Sequence, residues 1–290
     1  MRAAVLGATG FIGRALVPAL SERMDVVAVS RRGDARACDR VHPMAADATD
    51  PVSLRTAFAG ANVVYYLVHS LGQANFGDVD RQAAENVAAE AARAGVSQLI
   101  FLGGLGDDAS GLSEHLRSRA ETARVLADGP VPVTTLRAAV VVGRGSAAFD
   151  TIVALVDRLP VMIAPRWVSM PTQPIALVDV VAYLRDVGGH SEAVGETFDL
   201  GGPDVLTYRE MIERIGTLRE RHPRIVEVPV LSPRLSSYWL HLVTPVRAGV
   251  ARPLVEGLRN PTVATDTRIR ELFPRELTPF DAAAREALTS

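Results

Sequence analysis

Gly7, Gly10 and Gly13 stand three apart, directly after the apolar run Ala3-Ala4-Val5-Leu6. Few short patterns restrict a fold so tightly. A strand that turns sharply into a helix needs a residue free to take positive φ, which glycine supplies at position 7. Backbone that approaches an anion closely needs no Cβ at position 10, and a helix packed tightly on its sheet needs none at 13. The triplet lies between a strand pattern and a helix pattern, the context in which it implies a dinucleotide pyrophosphate at a helix N-terminus. The expected contacts are Gly7, Thr9, Gly10, Phe11, Ile12 and Gly13.

The rest of the first half agrees with that start. Short apolar runs alternate with helical patterns, as in a parallel sheet with crossover helices. Strands are expected at residues 2–6, 25–30, 40–46, 62–68, 97–102 and 131–142. Helices are expected at 11–23, from Asp50-Pro51 onward, at 77–94 and at 113–128. Asp50 is placed as N-cap with Pro51 at the first helical position, and Gly95 closes the long Ala-rich helix.

Beyond Gly145 the alternation weakens. A helix at 147–159 precedes Pro160, Pro165, Pro171 and Pro174, which read as loop markers. Short strands follow at 175–178 and 196–200 around a helix at 179–187, with a further helix within 203–220. The expected architecture is a Rossmann-type doubly wound parallel sheet over residues 1–155. A smaller substrate-side lobe spans 156–290, with 174–203 returning to the sheet.

Composition narrows the partners. Hydrophobic residues make up 48% and charged residues 22%, with a net charge of −2, so nothing marks a nucleic-acid surface. Cys38 is the single cysteine, which suits a reducing compartment, and a cytoplasmic location is expected because the chain runs straight into its first strand. The six histidines and one cysteine show no ligand-spaced pair, so no metal site is expected. Residues 235–258 carry Tyr238, Trp239, Leu240, Leu242 and Val243 with Arg247 and Arg252; core or dimer packing is the favoured role and membrane-surface contact the alternative.

The second strand ends in Val29-Ser30-Arg31-Arg32, where an NAD-selective site would present a carboxylate to the ribose. Two guanidiniums there favour the 2′-phosphate of NADP over NAD. Asp47, after the third strand, is a candidate acceptor for the adenine amino group or the start of a turn. Val68, His69 and Ser70 follow the fourth strand and are expected beside the cofactor, as are Gly103 and Gly104 after the fifth.

Taken together these stretches resemble the short-chain dehydrogenase/reductase superfamily in its extended or atypical branch. The glycine spacing carries the likeness, with Glu85-Asn86-Val87, Ala92-Arg93-Ala94-Gly95-Val96 and Leu99-Ile100-Phe101-Leu102. Leu136-Arg137 leading to Gly143, and Pro174-Ile175 leading to Asp179-Val180, continue it. More narrowly, Tyr66-Leu67-Val68-His69-Ser70, Leu102-Gly103-Gly104-Leu105-Gly106, residues 115–119 and Gly201-Gly202-Pro203 resemble an atypical, NmrA-like NAD(P)H-binding group. The likeness runs to about residue 260.

The resemblance implies a Ser after the fifth strand and Tyr-x-x-x-Lys on the next helix. Here Gly103 and Gly104 stand in the Ser region, and His115 and Arg119 fall where Tyr and Lys would. All 31 basic residues are arginine, so no lysine exists to take that role. His115 and Arg119, four apart on one helical face, are the candidate catalytic pair: a proton donor and a fixed cation. Asn86 falls where the superfamily places an active-site hydrogen bond. Asp80, Arg81 and Glu85 read as a charged helix face, and Arg137, in an apolar strand, as half of a buried ion pair. Trp167, Thr172 and Gln173 are candidates for the substrate side.

Three functions fit this set. The first is an NADP(H)-dependent oxidoreductase acting on a small, largely apolar molecule without the usual Ser/Tyr/Lys set. The second is a nonenzymatic NADP(H)-sensing regulator, and the third a scaffold or assembly subunit holding the cofactor. A homo-oligomer is compatible with each.

Overall fold

The apolar runs of the first half become the strands of one parallel sheet. The computed structural model describes residues 1–70, 75–106, 114–228 and 260–289, without the side chains of 114, 115 and 165–167. The first half runs β1 (Arg2–Leu6), α1 (Phe11–Ser21), β2 (Asp25–Ser30), β3 (Val41–Ala45), α2 (Pro51–Phe58), β4 (Val63–Tyr66), α3 (Phe76–Arg93), β5 (Gln98–Gly104), α4 (Glu114–Ala127) and β6 (Val133–Ala138). Next come β7 (Val141–Val142), α5 (Ala147–Arg158), β8 (Val161–Pro165), β9 (Pro171–Thr172), β10 (Ile175–Ala176), α6 (Leu177–Val187) and β11 (Thr197–Leu200). The described chain closes with β12 (Leu206–Thr207), α7 (Tyr208–Leu218), β13 (Arg224–Val228), α8 (Arg268–Leu272) and α9 (Phe280–Thr289).

Seven strands form the main sheet in the order β3-β2-β1-β4-β5-β6-β11, and every pair is parallel. This is the doubly wound Rossmann architecture. Strand order reverses between β1 and β4, so the crevice for a ligand opens at their C-terminal ends. Strands buried on both faces read as continuous apolar runs, as β1, β2 and β4 do. On one face Leu16, Leu20, Val180 and Leu184 of α1 and α6 pack on the sheet. On the other, Leu54, Phe58, Ala84 and Val87 of α2 and α3 do so. Pro43 sits within β3, which is tolerable because that strand is the sheet's edge.

A third apolar cluster belongs to the lobe. It joins Phe149 and Ile152 of α5, Met162 and Ala164 of β8, Met211 and Ile215 of α7, and Phe280 and Ala284 of α9. Helix α7 starts at Tyr208 because Thr207 and Glu210 make a reciprocal capping box there.

Several expectations are corrected. The run 131–142 is not one strand: β6 ends at Ala138, and β7 leaves the main sheet to pair with β10. The Pro160–Pro174 stretch holds β8, which pairs in parallel with β13, and β9, which pairs antiparallel with β12. Proline is compatible with strands at their ends and edges, and Pro165 closes β8. The strand expected at 175–178 stops at Ala176, where α6 begins. Residues 235–258 lie outside the described residues.

Candidate functional site

Gly7 takes φ +86° and Gly10 donates its N–H to the Gly7 carbonyl at 2.9 Å. The loop is tied to the neighbouring strand, because the Gly7 and Ala8 amides both donate to Val29 O at 3.1 Å. A Cβ on Gly13 would lie 2.8 Å from the Ala8 Cα, so α1 seats on its own loop only without one. Gly10 is the N-cap and offers no side-chain hydrogen bond, which leaves the first amides of α1 without an intrahelical acceptor. That cradle fits a pyrophosphate: it has room at Gly10, donors at Phe11, Ile12 and Gly13, and the positive helix end. Thr9 and the Phe11 ring are half-buried beside it, and a Cβ on Gly143 would come 3.2 Å from Phe11 Cζ. The loop after β7 therefore walls one side of the crevice.

The exit of β2 is held by a turn. Ser30 is buried; its hydroxyl donates to Asp34 Oδ1 at 2.7 Å and accepts from the Asp34 amide at 3.2 Å. The Ser30 hydrogen bond holds the Asp34 carboxyl below the usual carboxylate range. Gly33, at φ +65°, completes the turn against Ala45. Arg31 and Arg32 are exposed on it, and among the described residues neither donates a hydrogen bond. Asp47 accepts from the Thr49 amide at 2.9 Å and the Thr49 hydroxyl at 2.7 Å, bonds that lower its pKa. It forms the turn that leads into α2.

At the exits of β4 and β5 the charges are buried. Arg119 on α4 donates to Val68 O at 3.3 Å and to Leu102 O, with its guanidinium 4.6 Å over the Phe101 ring. Burial lowers its pKa, but a guanidinium stays charged. Asp80, 3% exposed, accepts from the Ser70 amide at 2.8 Å and from the Ser118 hydroxyl at 3.3 Å. Between Val68 and Ser70, His69 is exposed on one side. Loss of solvent on its other sides and the Arg119 cation push its pKa down to about 4, against the opposing effect of Asp80. Gly103 and Gly104 complete β5 without side chains, and a Cβ on Gly104 would lie 2.9 Å from Leu116.

The structure thus gathers Gly7, Thr9, Gly10, Phe11, Ile12, Gly13, Val68, His69, Ser70, Gly103 and Gly104 along one crevice, with Arg31 and Arg32 at its β2 end. Other candidates take different roles. Arg119, expected to address the ligand, has turned its donors onto backbone carbonyls. Ser30 has its hydroxyl engaged by Asp34. Asn86 donates to Ala48 O at 3.1 Å, anchoring the approach to α2. Thr172 accepts from Thr262 at 2.8 Å and Gln173 donates to Gly202 O at 2.7 Å, so both are buried packing groups. Asp80 is no solvated helix face, although Arg81 pairs with Asp78 and Glu121 as such a face would. Arg137 is ion-paired to Asp199 at 2.7 Å. His115 lies on the first turn of α4, but its side chain, like that of Trp167, is outside the described residues.

Asp80 was detectable in sequence. It shares the helical stripe of Ala83, Ala84 and Val87, so a carboxylate there demanded a buried partner. Among the described residues no cluster of possible metal ligands occurs, and no helix is long and apolar enough to cross a membrane.

A Rossmann sheet with this cradle is the architecture of a dinucleotide-binding protein. Residues 7–149 match the family described as NAD(P)H-binding, in agreement with the resemblance to the atypical short-chain dehydrogenase/reductases. It is 30% identical to mitochondrial NADH dehydrogenase (ubiquinone) 1 alpha subcomplex subunit 9 of Arabidopsis thaliana, over 78% of this chain and 60% of that protein. The chain therefore spans less than two thirds of that relative's length. The rat protein of the same name is 24% identical, over 99% of this chain and 79% of its own. In structure, the NADPH-dependent quinone oxidoreductase QOR2 of Escherichia coli, solved with NADPH, superposes with a TM-score of 0.78 at 20% identity, covering 99% of this chain and 98% of that one. That likeness is one of fold.

Proposed function

We propose that the protein binds NADP(H) and acts as an oxidoreductase on a small, largely apolar molecule, without the superfamily's Ser/Tyr/Lys set. The observation that carries the cofactor choice is the turn after β2. Arg31 and Arg32 stand exposed there with no hydrogen-bond acceptor among the described residues, while the carboxylate of the same loop, Asp34, is engaged by Ser30. Guanidiniums bind a 2′-phosphate through charge-assisted, often bidentate bonds.

When bound, a nicotinamide supplies hydride chemistry. The chain's own contribution is to hold the pyrophosphate at α1, to fix the strand exits through Arg119 and Asp80, and to present His115 as the proposed proton donor. A cytoplasmic location belongs to the same proposal. Fluorescence titration tests the cofactor choice: Arg31→Ser with Arg32→Ser should weaken NADPH binding about tenfold or more and leave NADH unchanged. Equal loss for both nucleotides would remove the assignment. Undiminished NADPH consumption by His115→Ala on an accepted substrate would remove His115 from the mechanism.

A second reading is a cofactor-holding subunit of a larger assembly. Its support is the likeness to two proteins named as NADH dehydrogenase subunits. Tight NADPH binding, no NADPH consumption across carbonyl, enone and quinone panels, and migration in a large complex in native extracts would favour it.

A further inference from the structure

We propose that a cavity beside α4, separate from the dinucleotide crevice, binds a small organic anion: a carboxylate with a short aliphatic tail. The cavity measures about 260 Å³, below the roughly 300–1,000 Å³ of sites for drug-sized molecules. It starts at the β5 exit and follows α4 to its last turn, where Ala127 and Thr197 line it. No residue of the fingerprint loop or of the β4 exit does so. Helix α4 lends the cavity one stripe, Leu116, Ala120, Ala123 and Ala127, three or four residues apart. Alternate residues of a strand share a face, so Thr135 and Arg137 of β6 line it together. Strands β6 and β11 are paired in register, which brings Thr197 beside Thr135 and Asp199 beside Arg137. The hollow exists because its walls carry little bulk, with alanines on the helix and Gly103 and Gly104 on β5. A Cβ on Gly104 would already lie 2.9 Å from Leu116 Cδ2.

Charge and unmet hydrogen bonds give the ligand its class. Every charged residue that lines the cavity is an arginine: Arg119, Arg124 and Arg137. Arg119 spends its donors on two carbonyls, and Arg124 pairs with Asp128 on the helix surface at 3.2 Å. Arg137 has more to offer. Its Nε and Nη2 meet Asp199 Oδ1 at 2.8 and 2.7 Å, and its Nη1 has no acceptor among the described residues. The Arg137 side chain is 31% exposed and that of Asp199 only 1%, its other oxygen taken by the amides of Thr265 and Asp266. The cavity therefore meets the cation and not its counter-charge. Next to it along β6, Thr135 is 7% exposed, and its hydroxyl has no hydrogen-bond partner among the described residues. Buried hydroxyls are normally paired, so this one marks a place that a ligand atom completes. A carboxylate accepts from a guanidinium and a hydroxyl at once, while the helix stripe takes an apolar tail.

Methyl NMR of the purified full chain reads the site directly, since Ala120, Ala123, Thr135 and Thr197 all carry methyl groups. Hexanoate should give saturable shifts at these methyls. Hexanol, which keeps the tail but lacks the charge, should bind about tenfold more weakly. Thr135→Val preserves the side-chain shape and should weaken hexanoate about tenfold, the scale of one lost hydrogen bond. Ala123→Leu should fill the cavity and abolish binding; Thr135→Val keeps the test sound if leucine distorts α4. Saturating NADPH should leave the hexanoate affinity unchanged. No saturable shift at millimolar hexanoate overturns the proposal, as does equal affinity for the alcohol. Undiminished binding by Thr135→Val, or shifts that persist in a folded Ala123→Leu, would place the ligand elsewhere and overturn it too. Displacement of hexanoate by NADPH would make the cavity part of the crevice and end its standing as a separate site.

Discussion

Arg119 on α4 reaches the carbonyl oxygen of Val68, 3.3 Å away at the exit of β4, and so does in this chain something a lysine could not. A guanidinium is a planar fork, and its second terminal nitrogen serves Leu102 O while its Cζ lies 4.6 Å from the centre of the Phe101 ring. An ammonium is a point charge on a flexible stem. Arg119→Lys should therefore destabilise the protein, and Arg119→Met should cost about 2–4 kcal/mol by leaving two strand-end carbonyls and Asp80 without their cation. Urea unfolding measures both. A loss under 1 kcal/mol for Met would show that the fork is dispensable.

Gly13 bears on the fingerprint more sharply than its neighbours. A methyl group there meets the Gly7 carbonyl and lies 2.8 Å from Ala8 Cα, both backbone atoms that cannot rotate away. Gly13→Ala should cost about 1–3 kcal/mol as an overpacked contact and abolish nucleotide binding by lifting α1 from its loop. Retained NADPH binding would mean that the helix can shift without loss of the cradle.

His69 ties stability to pH. Its pKa is held near 4 in the folded protein, below the ordinary imidazole value of about 6.5. Between these values the unfolded chain binds the proton and the folded one does not, so stability is fully present above about pH 6.5 and falls as pH drops toward 4. Chemical unfolding from pH 4 to 7 should show a shallower slope for His69→Asn than for the native chain. Identical slopes would assign the acid sensitivity elsewhere.

Asp199 on β11 is the best-connected carboxylate at the sheet edge. It pairs with Arg137 at 2.7 Å and accepts from the amides of Thr265 at 3.0 Å and Asp266 at 3.1 Å. Asp199→Ala should cost about 3–5 kcal/mol, since it strands a half-buried guanidinium and two amides together. Hydrogen exchange should locate the loosening at residues 264–266 as well as on β11.

The centre of the sheet was legible because β1, β2, β4 and β5 are built on apolar runs, β1 closed by Gly7 and β5 by Gly103-Gly104. The lobe was not. Its strands are two to five residues long, bordered by prolines, and draw their partners from far along the chain, as Val161 does from Arg224. No local period encodes that pairing. The cofactor cradle could be read from three glycines because their need is local and steric. The role of Arg119 could not, since spacing places it on a helix face but does not say whether its donors meet a ligand or the carbonyls of two strands.

Four aspartates hold the stretch from residue 265 to 280. Asp199 takes the amides of Thr265 and Asp266, Asp186 takes Arg275, Asp179 takes the amide of Thr278, and Asp204 takes that of Phe280. The first three sit on the main sheet or its covering helix, and Phe280 enters the core of the lobe. This segment therefore acts as a belt buckled at both ends. Any motion that swings the lobe away from the sheet has to break these contacts, so the belt opposes wide opening of the crevice.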